Sequence, residues 1–273
     1  MLDRTQSICI QNLEARFNRH DEPVLRIPTI SFERGRTVGV LGPNHSGKST
    51  FLRVVAGLHR KILIAPEASV WYFGNQLPKY DRTRISYVSQ RFRDTLFPWL
   101  SIGENIRLRL RAARYANGDV EDAVRYLCNE LNFPSETDLF EHFGFREGGV
   151  EKHVFQLSGG QQQITTLLRA LLPTPEVLLL DEPFSAIDVY KGQALREALL
   201  GYFERHGITT LFITHSLEEA VDLSDEIIAF QSDRTKPSIK KRYSVGRPTP
   251  GANLSPAEAA ELIERIQSEN EMG

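Results

Sequence analysis

Cysteine is nearly absent from this chain of 273 residues: there are two, Cys9 and Cys128. They lie far apart and belong to no C-x-x-C pair, so neither a disulfide framework nor a zinc site is implied, and a reducing, cytosolic setting fits. Charge of one sign is missing as well. Lys and Arg number 33 against 35 Asp and Glu, a formal net of −2, which offers no general grip on nucleic acid or anionic lipid. No apolar run approaches the ~18 residues that span a bilayer. The first residues, Met1, Leu2, Asp3, Arg4 and Thr5, carry charge where a secretory signal would begin its apolar segment. A protein of this kind that serves a membrane serves it from the side.

The composition is that of a soluble globular chain, with 41% hydrophobic and 25% charged residues and a mean hydropathy of −0.31. Collagen-like and disordered classes are thereby excluded. The length gives a little under two domains on the soft prior of about 150 residues each.

Periodicity supplies the organisation. Residues 7–15 and 24–32 read as strands with a turn at Arg34 and Gly35, and residues 37–41 are a short apolar run suited to a buried strand. A helix through Phe51, Leu52, Val55 and Leu58 follows, then strands at 70–73 and 85–89. From Ser101 to about Gln156 the character is helical. Ser101 and Glu104 make a capping box, and Val120, Ala123, Val124, Leu127, Cys128 and Leu131 form one apolar face. Strands at 177–180, 208–214 and 227–230 then alternate with helices at 188–205 and after Ser216, whose partner Glu219 completes a cap. Such alternation argues for a parallel sheet flanked by helices. Residues 234–254 read as an irregular, basic link, and Ser255 and Pro256 open a last helix with Ala259, Leu262, Ile263 and Ile266 on one face.

Chemistry concentrates in a few places. Gly42, Pro43, Asn44, His45, Ser46, Gly47, Lys48, Ser49 and Thr50 fit the pattern G-x-x-x-x-G-K-[ST] between an apolar strand and a helix. Glycines let the backbone wrap close enough for N–H groups to face phosphate oxygens, and the helix adds its positive end. Lys48 would bridge the β- and γ-phosphates, and the Ser49 hydroxyl would hold magnesium. The run Val177, Leu178, Leu179, Leu180 ends in Asp181 and Glu182. Asp181 would help bind magnesium, and Glu182 would polarise an attacking water as general base. A carboxylate after a strand can also do no more than cap a turn.

Leu157, Ser158, Gly159, Gly160 and Gln161 resemble the signature of the ATP-binding-cassette ATPases, and further family landmarks follow in order. Phe17 stands where the family places an aromatic against adenine. Gln90 matches the glutamine that touches magnesium and leads to the helical subdomain. Ser185, Ala186, Ile187 and Asp188 resemble the loop that communicates between subunits, and His215 matches the switch histidine at the γ-phosphate. Singly, an aromatic such as Phe17 is more often core, and His215 more often a structural histidine. Together they are not.

The resemblance implies an α/β fold: a P-loop NTPase core, with a mixed sheet flanked by helices, an antiparallel β subdomain and an α-helical subdomain. It divides the chain into an ATPase domain over residues 1–233, with the helical subdomain at about 91–170, and a short extension over 234–273 with a terminal helix. It implies ATP and Mg2+ as cofactors and pairing with a second ATPase subunit, identical or different. Ser158, Gly159 and Gly160 of one chain would then meet the γ-phosphate held by the other, Ser158 giving N–H and hydroxyl donors. Membrane permease subunits are implied as partners, with an extracytoplasmic solute-binding protein for an importer, at the cytoplasmic face of the membrane. The alternative is a soluble, non-transport ATPase of the same superfamily acting on DNA, ribosomes or cluster assembly. Such proteins usually carry long coiled-coil insertions, a duplicated cassette or basic arms, none of which is visible here, and no nucleic-acid partner is implied.

The segment Thr95, Leu96, Phe97, Pro98, Trp99, Leu100 resembles ATPases of nitrate, sulfonate, taurine and bicarbonate importers, as does a tail bearing Arg247 and Pro248. Phe97 and Trp99 could equally be subdomain packing, and polyamine, iron or lipid cargo stays open. Two departures stand out. His45 occupies a position where the family has glycine, and histidine is among the residues enriched at positive φ, so the loop is expected to form with some strain. Gln163 is followed by Ile164 instead of arginine, which leaves ATPase strength open and admits pairing with a different, more typical ATPase subunit.

Overall fold

The structure, a computed structural model, describes residues 6–59, 61–77, 79–112, 119–132, 149–172, 174–245 and 256–271. Two compact units emerge: Met1–Asp81 together with Gly207–Gly273, and Arg82–His206. Arg247, Pro248 and Ser255 lie outside the described residues.

The first unit holds two sheets. Strands β1 (Gln6–Arg16), β2 (Leu25–Glu33), β4 (Leu63–Ile64), β5 (Ser69–Tyr72) and β6 (Asn75–Gln76) form an antiparallel sheet in which β2, β1, β5 and β6 lie side by side and β4 pairs with the end of β1. Its register opposes Ile10 to Ile30 on one side and to Val70 on the other, which puts β-branched residues in cross-strand contact. The second sheet is mixed. Strands β3 (Thr37–Leu41), β9 (Thr209–Ile213) and β10 (Glu226–Phe230) run parallel, and β11 (Ile239–Ser244) returns antiparallel along β10. Every residue of β3 and β9 is buried, as expected of parallel strands covered on both faces.

Strand β11 corrects one sequence expectation, since it falls within the stretch read as an irregular link. Its sequence, Ile239 to Ser244, is basic and mostly exposed, and Tyr243 alone is buried. An edge strand with lysines outward lacks the apolar alternation that announces a strand. Behind it, α6 (Leu217–Leu223) and the last helix, α7 (Pro256–Glu271), pack on one core of Leu41, Ala220, Val221, Ile227, Tyr243, Leu262 and Ile266. The stripe expected on α7 is the one buried, with Ala259 and Ile263 at its margin. Full burial of each such aliphatic side chain stabilises by about 1.5–3 kcal/mol.

The second unit carries the parallel pair β7 (Ile85–Val88) and β8 (Val177–Asp181), in which Ser86 opposes Leu178. Its helices are α2 (Ile102–Ala112), α3 (Val120–Glu130), α4 (Gly159–Leu171) and α5 (Val189–Arg205). The capping box at α2 forms as expected: Glu104 N–H donates to Ser101 Oγ at 3.1 Å and Ser101 N–H to Glu104 Oε2 at 2.8 Å. Asp119 caps α3 through the N–H groups of Glu121 and Asp122.

Candidate functional site

In the first unit, residues 42–47 join β3 to α1 (Lys48–Val55). Two glycines are dictated by geometry. A Cβ on Gly42 would lie 2.8 Å from the Phe230 carbonyl oxygen, and one on Gly47, at φ +95°, would lie 2.7 Å from that of Val24. His45 takes φ +63°, which is the left-handed conformation its residue type tolerates. Gly47 is the N-cap of α1 and provides no side-chain cap, and the first turn has no acidic residue. The helix therefore places no acidic side chain of its own first turn against its positive end.

Lys48 is 6% exposed, and its Nζ donates to the carbonyls of Gly42 and Pro43, both at 2.7 Å. The ammonium is thus folded back across the mouth of the loop. Ser46 Oγ is buried without a hydrogen-bond partner, an orphan that a ligand oxygen or water would satisfy. The loop is a cradle that fits phosphate. Ser49 is half-buried and Thr50 buried at its floor, while Pro43, Asn44 and His45 are exposed at its rim.

Phe17 follows the last residue of β1 and is 50% exposed, so it is not core. His215 is exposed one residue beyond Thr214. A local network fixes its neighbours: Thr214 Oγ1 donates to Glu219 Oε2 at 2.5 Å and accepts from Ser216 N–H at 3.0 Å, and Ser216 Oγ caps α6 at Glu219 N–H. The Ser216 hydroxyl, at 2.8 Å, also holds the Glu218 carboxyl below its ordinary range.

In the second unit, Asp181 closes β8 and is 1% exposed, with the Tyr87 hydroxyl donating to it at 3.4 Å. Glu182, next along, has φ +53°. For a residue with a Cβ that conformation costs roughly 1–2 kcal/mol, so the surroundings must hold it. They do, through α4. Ser158 caps this helix in a capping box, its N–H donating to Gln161 Oε1 at 2.9 Å and its Oγ accepting from Gln161 N–H at 3.3 Å. The Ser158 amide expected to face phosphate is therefore already engaged by Gln161. The groups left to a ligand at this end are the hydroxyl hydrogen and the N–H groups of Gly159 and Gly160, which have no partner one turn earlier in the helix. A Cβ on Gly160 would lie 2.7 Å from the Ala186 carbonyl, so the helix rests directly on the turn after Glu182.

Sequence reasoning missed the residue that joins them. Gln163 is buried, donates through Nε2 to the Glu182 carbonyl at 2.9 Å, and accepts through Oε1 from Ala186 N–H at 2.8 Å. The available signal was a glutamine on the same helix face as Leu167 and Ala170, at spacings of four and seven. Gln90 is exposed just beyond β7, and Asp188 is exposed at the start of α5. Arg109 and Arg169 pack behind the Gln90 segment, Arg109 donating to Ser86 Oγ at 3.0 Å and Arg169 to the Thr95 carbonyl. Burial pulls both guanidinium pKa values down. Phe97 and Trp99 are exposed, in edge contact at 5.7 Å, and Phe155 is exposed nearby through its N–H bond to the Pro98 carbonyl. Phe97 and Trp99 are not subdomain packing.

A strand, a glycine-lined loop with an inward lysine, and a helix starting at the lysine together define a phosphate-binding P-loop fold. Residues 25–185 match the ABC transporter family profile. The chain is 34% identical to a sulfate/thiosulfate import ATP-binding protein, CysA, of Mesostigma viride, over 84% of this chain and 60% of that protein. It is 34% identical to a probable sulfate/thiosulfate import ATP-binding protein of Chlorella vulgaris, over 84% of this chain and 89% of that one. It is 31% identical to the aliphatic sulfonates import ATP-binding protein SsuB of Bacillus cereus, over 91% and 90%. Among solved structures, the dimeric bacterial ABC transporter cassette MJ0796 has the same fold, with a TM-score of 0.70 at 23% identity over 87% of this chain and 98% of that one. The chain belongs to the ABC transporter family of ATP-binding proteins. It spans 60% of the length of the Mesostigma relative and about nine-tenths of the Chlorella and Bacillus ones.

Proposed function

We propose that this chain is the ATP-hydrolysing subunit of a membrane importer for a small anion, with sulfur oxyanions such as sulfate, thiosulfate or sulfonates as the cargo class. The reading rests first on the phosphate cradle, with Lys48 across its mouth. The names of the related import proteins support the cargo class.

In this reading the loop N–H groups and Lys48 hold the β- and γ-phosphates of ATP, and Phe17 stacks on adenine. The residues that would hold Mg2+, Ser49, Gln90 and Asp181, each offer a hard oxygen donor, which suits that ion and not a thiophilic metal. The ion, when bound, neutralises charge on the β- and γ-phosphate oxygens. Glu182 accepts a proton from water as that water attacks the γ-phosphorus, and the bond to the β-phosphate oxygen breaks to release ADP and phosphate. His215 donates to the γ-phosphate. Ser158, Gly159 and Gly160 serve the ATP of a second cassette, and Asp188 lies at that contact. Two nucleotides thereby hold two subunits together until hydrolysis.

We read residues 1–233 as the cassette, with a helical subdomain at about 91–170, and 234–273 as a short extension that adds β11 and α7. Among the described residues no helix is long and apolar enough to cross a membrane. The names of the related import ATP-binding proteins support assigning the subunit to the cytoplasmic membrane face, held by permease subunits. Exposed Phe97, Trp99 and Phe155 offer those subunits an apolar contact. A solute-binding protein would complete an importer.

The test is co-expression with the adjacent permease genes and reconstitution in vesicles. ATP-dependent uptake of labelled sulfate or a sulfonate is expected. Failure to co-purify with any polytopic membrane protein would sink the transport reading, and uptake confined to a cation or lipid would sink the cargo class.

A further inference from the structure

The turn after Glu182 is held by a side chain that touches no nucleotide in the reading above. We propose that Gln163 is a positioning residue that sets the direction of the Glu182 carboxylate and makes it depend on the Ser158-capped helix; this rests on Glu182 being the general base. Gln163 stands on α4 just past the Ser158 cap and is 1% exposed. Its amide nitrogen donates to the Glu182 carbonyl at 2.9 Å and to Ser185 Oγ at 3.3 Å, and its amide oxygen accepts from Ala186 N–H at 2.8 Å. The Glu182 carbonyl also accepts from Ser185 Oγ at 3.2 Å and Ser185 N–H at 3.4 Å. One carbonyl is thus the meeting point of the whole turn.

That convergence matters because Glu182 sits at φ +53°, a conformation a glutamate abandons unless its peptide groups are held. Relaxation toward negative φ would swing the Cα–Cβ bond, and the carboxylate would move with it. Glutamine alone suits the position, since the site asks for a donor and an acceptor at the end of the same unbranched stem. Glutamate lacks the donor, lysine the acceptor and methionine both. The Gly160 Cα lies close enough to the Ala186 carbonyl that a Cβ there would approach it to 2.7 Å. The Ser158 end of the helix and the Glu182 turn therefore move as one piece, so displacement of the signature end is passed to the base.

The experiment uses the full chain with its partner subunits. Gln163→Met keeps the length of the stem and removes all three hydrogen bonds. We expect kcat to fall at least about tenfold while KM and the dissociation constant for ATP stay within about twofold, the pattern of a group that acts only as the transition state is reached. Amide exchange across residues 184–187 should quicken, while exchange in α4 stays unchanged. Thr166→Val, which removes another buried side-chain hydrogen bond from the same helix, controls for loss of helix stability and should leave kcat unchanged. Should Gln163→Met fold poorly, Gln163→Glu retains the acceptor for Ala186 and lacks the donor, and kcat should still drop with ATP affinity intact. The proposal is overturned if kcat is unchanged in both variants, if kcat and ATP affinity decline in parallel, or if Thr166→Val costs as much turnover as Gln163→Met. Glu182→Gln, run beside them, separates the two readings: full turnover in that variant would remove Glu182 as the base, whatever Gln163 does.

Discussion

Two glycine-to-alanine changes in helices of the second unit should differ in sign of benefit, one raising stability and the other not. In an open helical position alanine is favoured over glycine by about 1 kcal/mol. At Gly201 in α5 a new Cβ would meet only the flexible end of Arg205, at 3.1 Å, so most of that gain should appear. At Gly160 in α4 the neighbour is the Ala186 backbone carbonyl at 2.7 Å, which cannot swing aside. Overpacking of that kind costs roughly 1–3 kcal/mol. Set against the propensity gain, Gly160→Ala should come out neutral to about 2 kcal/mol less stable. For a chain of this size each kcal/mol shifts Tm by about 2–4 °C. Calorimetry or thermal fluorescence on parent, Gly160→Ala and Gly201→Ala should therefore show a rise for Gly201→Ala and none for Gly160→Ala. ATP turnover should fall in Gly160→Ala alone, because the turn that carries Glu182 is displaced. An equal rise in Tm for both variants, with turnover intact, would refute the claim that the signature helix rests on that turn.

Two glycines of the first unit, one of them in the phosphate loop, make a second matched pair. Gly74, at φ +79°, has nothing near a new Cβ, whereas Gly47, at φ +95°, has the Val24 carbonyl at 2.7 Å. Gly74→Ala should lose only the roughly 1–2 kcal/mol of left-handed strain and keep ATP affinity. Gly47→Ala should lose more and weaken ATP binding at least about tenfold by calorimetric titration, since 1.4 kcal/mol of loop distortion suffices for that. A pH series addresses Glu130, whose carboxyl is held below its ordinary range chiefly by the hydrogen bond with His206 and further by Arg205. A depressed folded pKa stabilises above the unfolded value of about 4.3 and is lost as pH falls through the lower folded value. Glu130→Gln should therefore be less stable than the parent at pH 7, by under about 1 kcal/mol because the pair is partly solvated. The gap should close below pH ~4; one that persists there would show that charge is not the cause.

Much of this was legible in the sequence because it is local. The strand, glycine loop and Lys48 are contiguous, and the apolar run that ends at Asp181 announces a buried strand whose carboxylate sits at its tip. The stripe on α7 and the capping box of Ser101 and Glu104 follow from spacing alone. What escaped depends on contacts distant in sequence. Strand β11 is basic and exposed, and it exists because β10 offers it an edge. The Gln163 clamp needs α4 and the 182–186 turn in contact, which no periodicity specifies. Exposure of Phe97 and Trp99 could not be told from packing until the chain was folded. The engagement of the Ser158 amide by Gln161 was visible in principle, since serine and glutamine three residues apart are a capping-box pair.

The most direct test of the account compares Lys48→Ala with Glu182→Gln for ATP binding by titration calorimetry and for phosphate release. Lys48→Ala should lose binding by about 10- to 100-fold, the worth of a charge-assisted contact of roughly 1.5–3 kcal/mol. Glu182→Gln should bind ATP like the parent and release almost no phosphate. If Lys48→Ala binds ATP unchanged, or Glu182→Gln hydrolyses it at the parental rate, the assignment of cradle and base to these two residues is wrong.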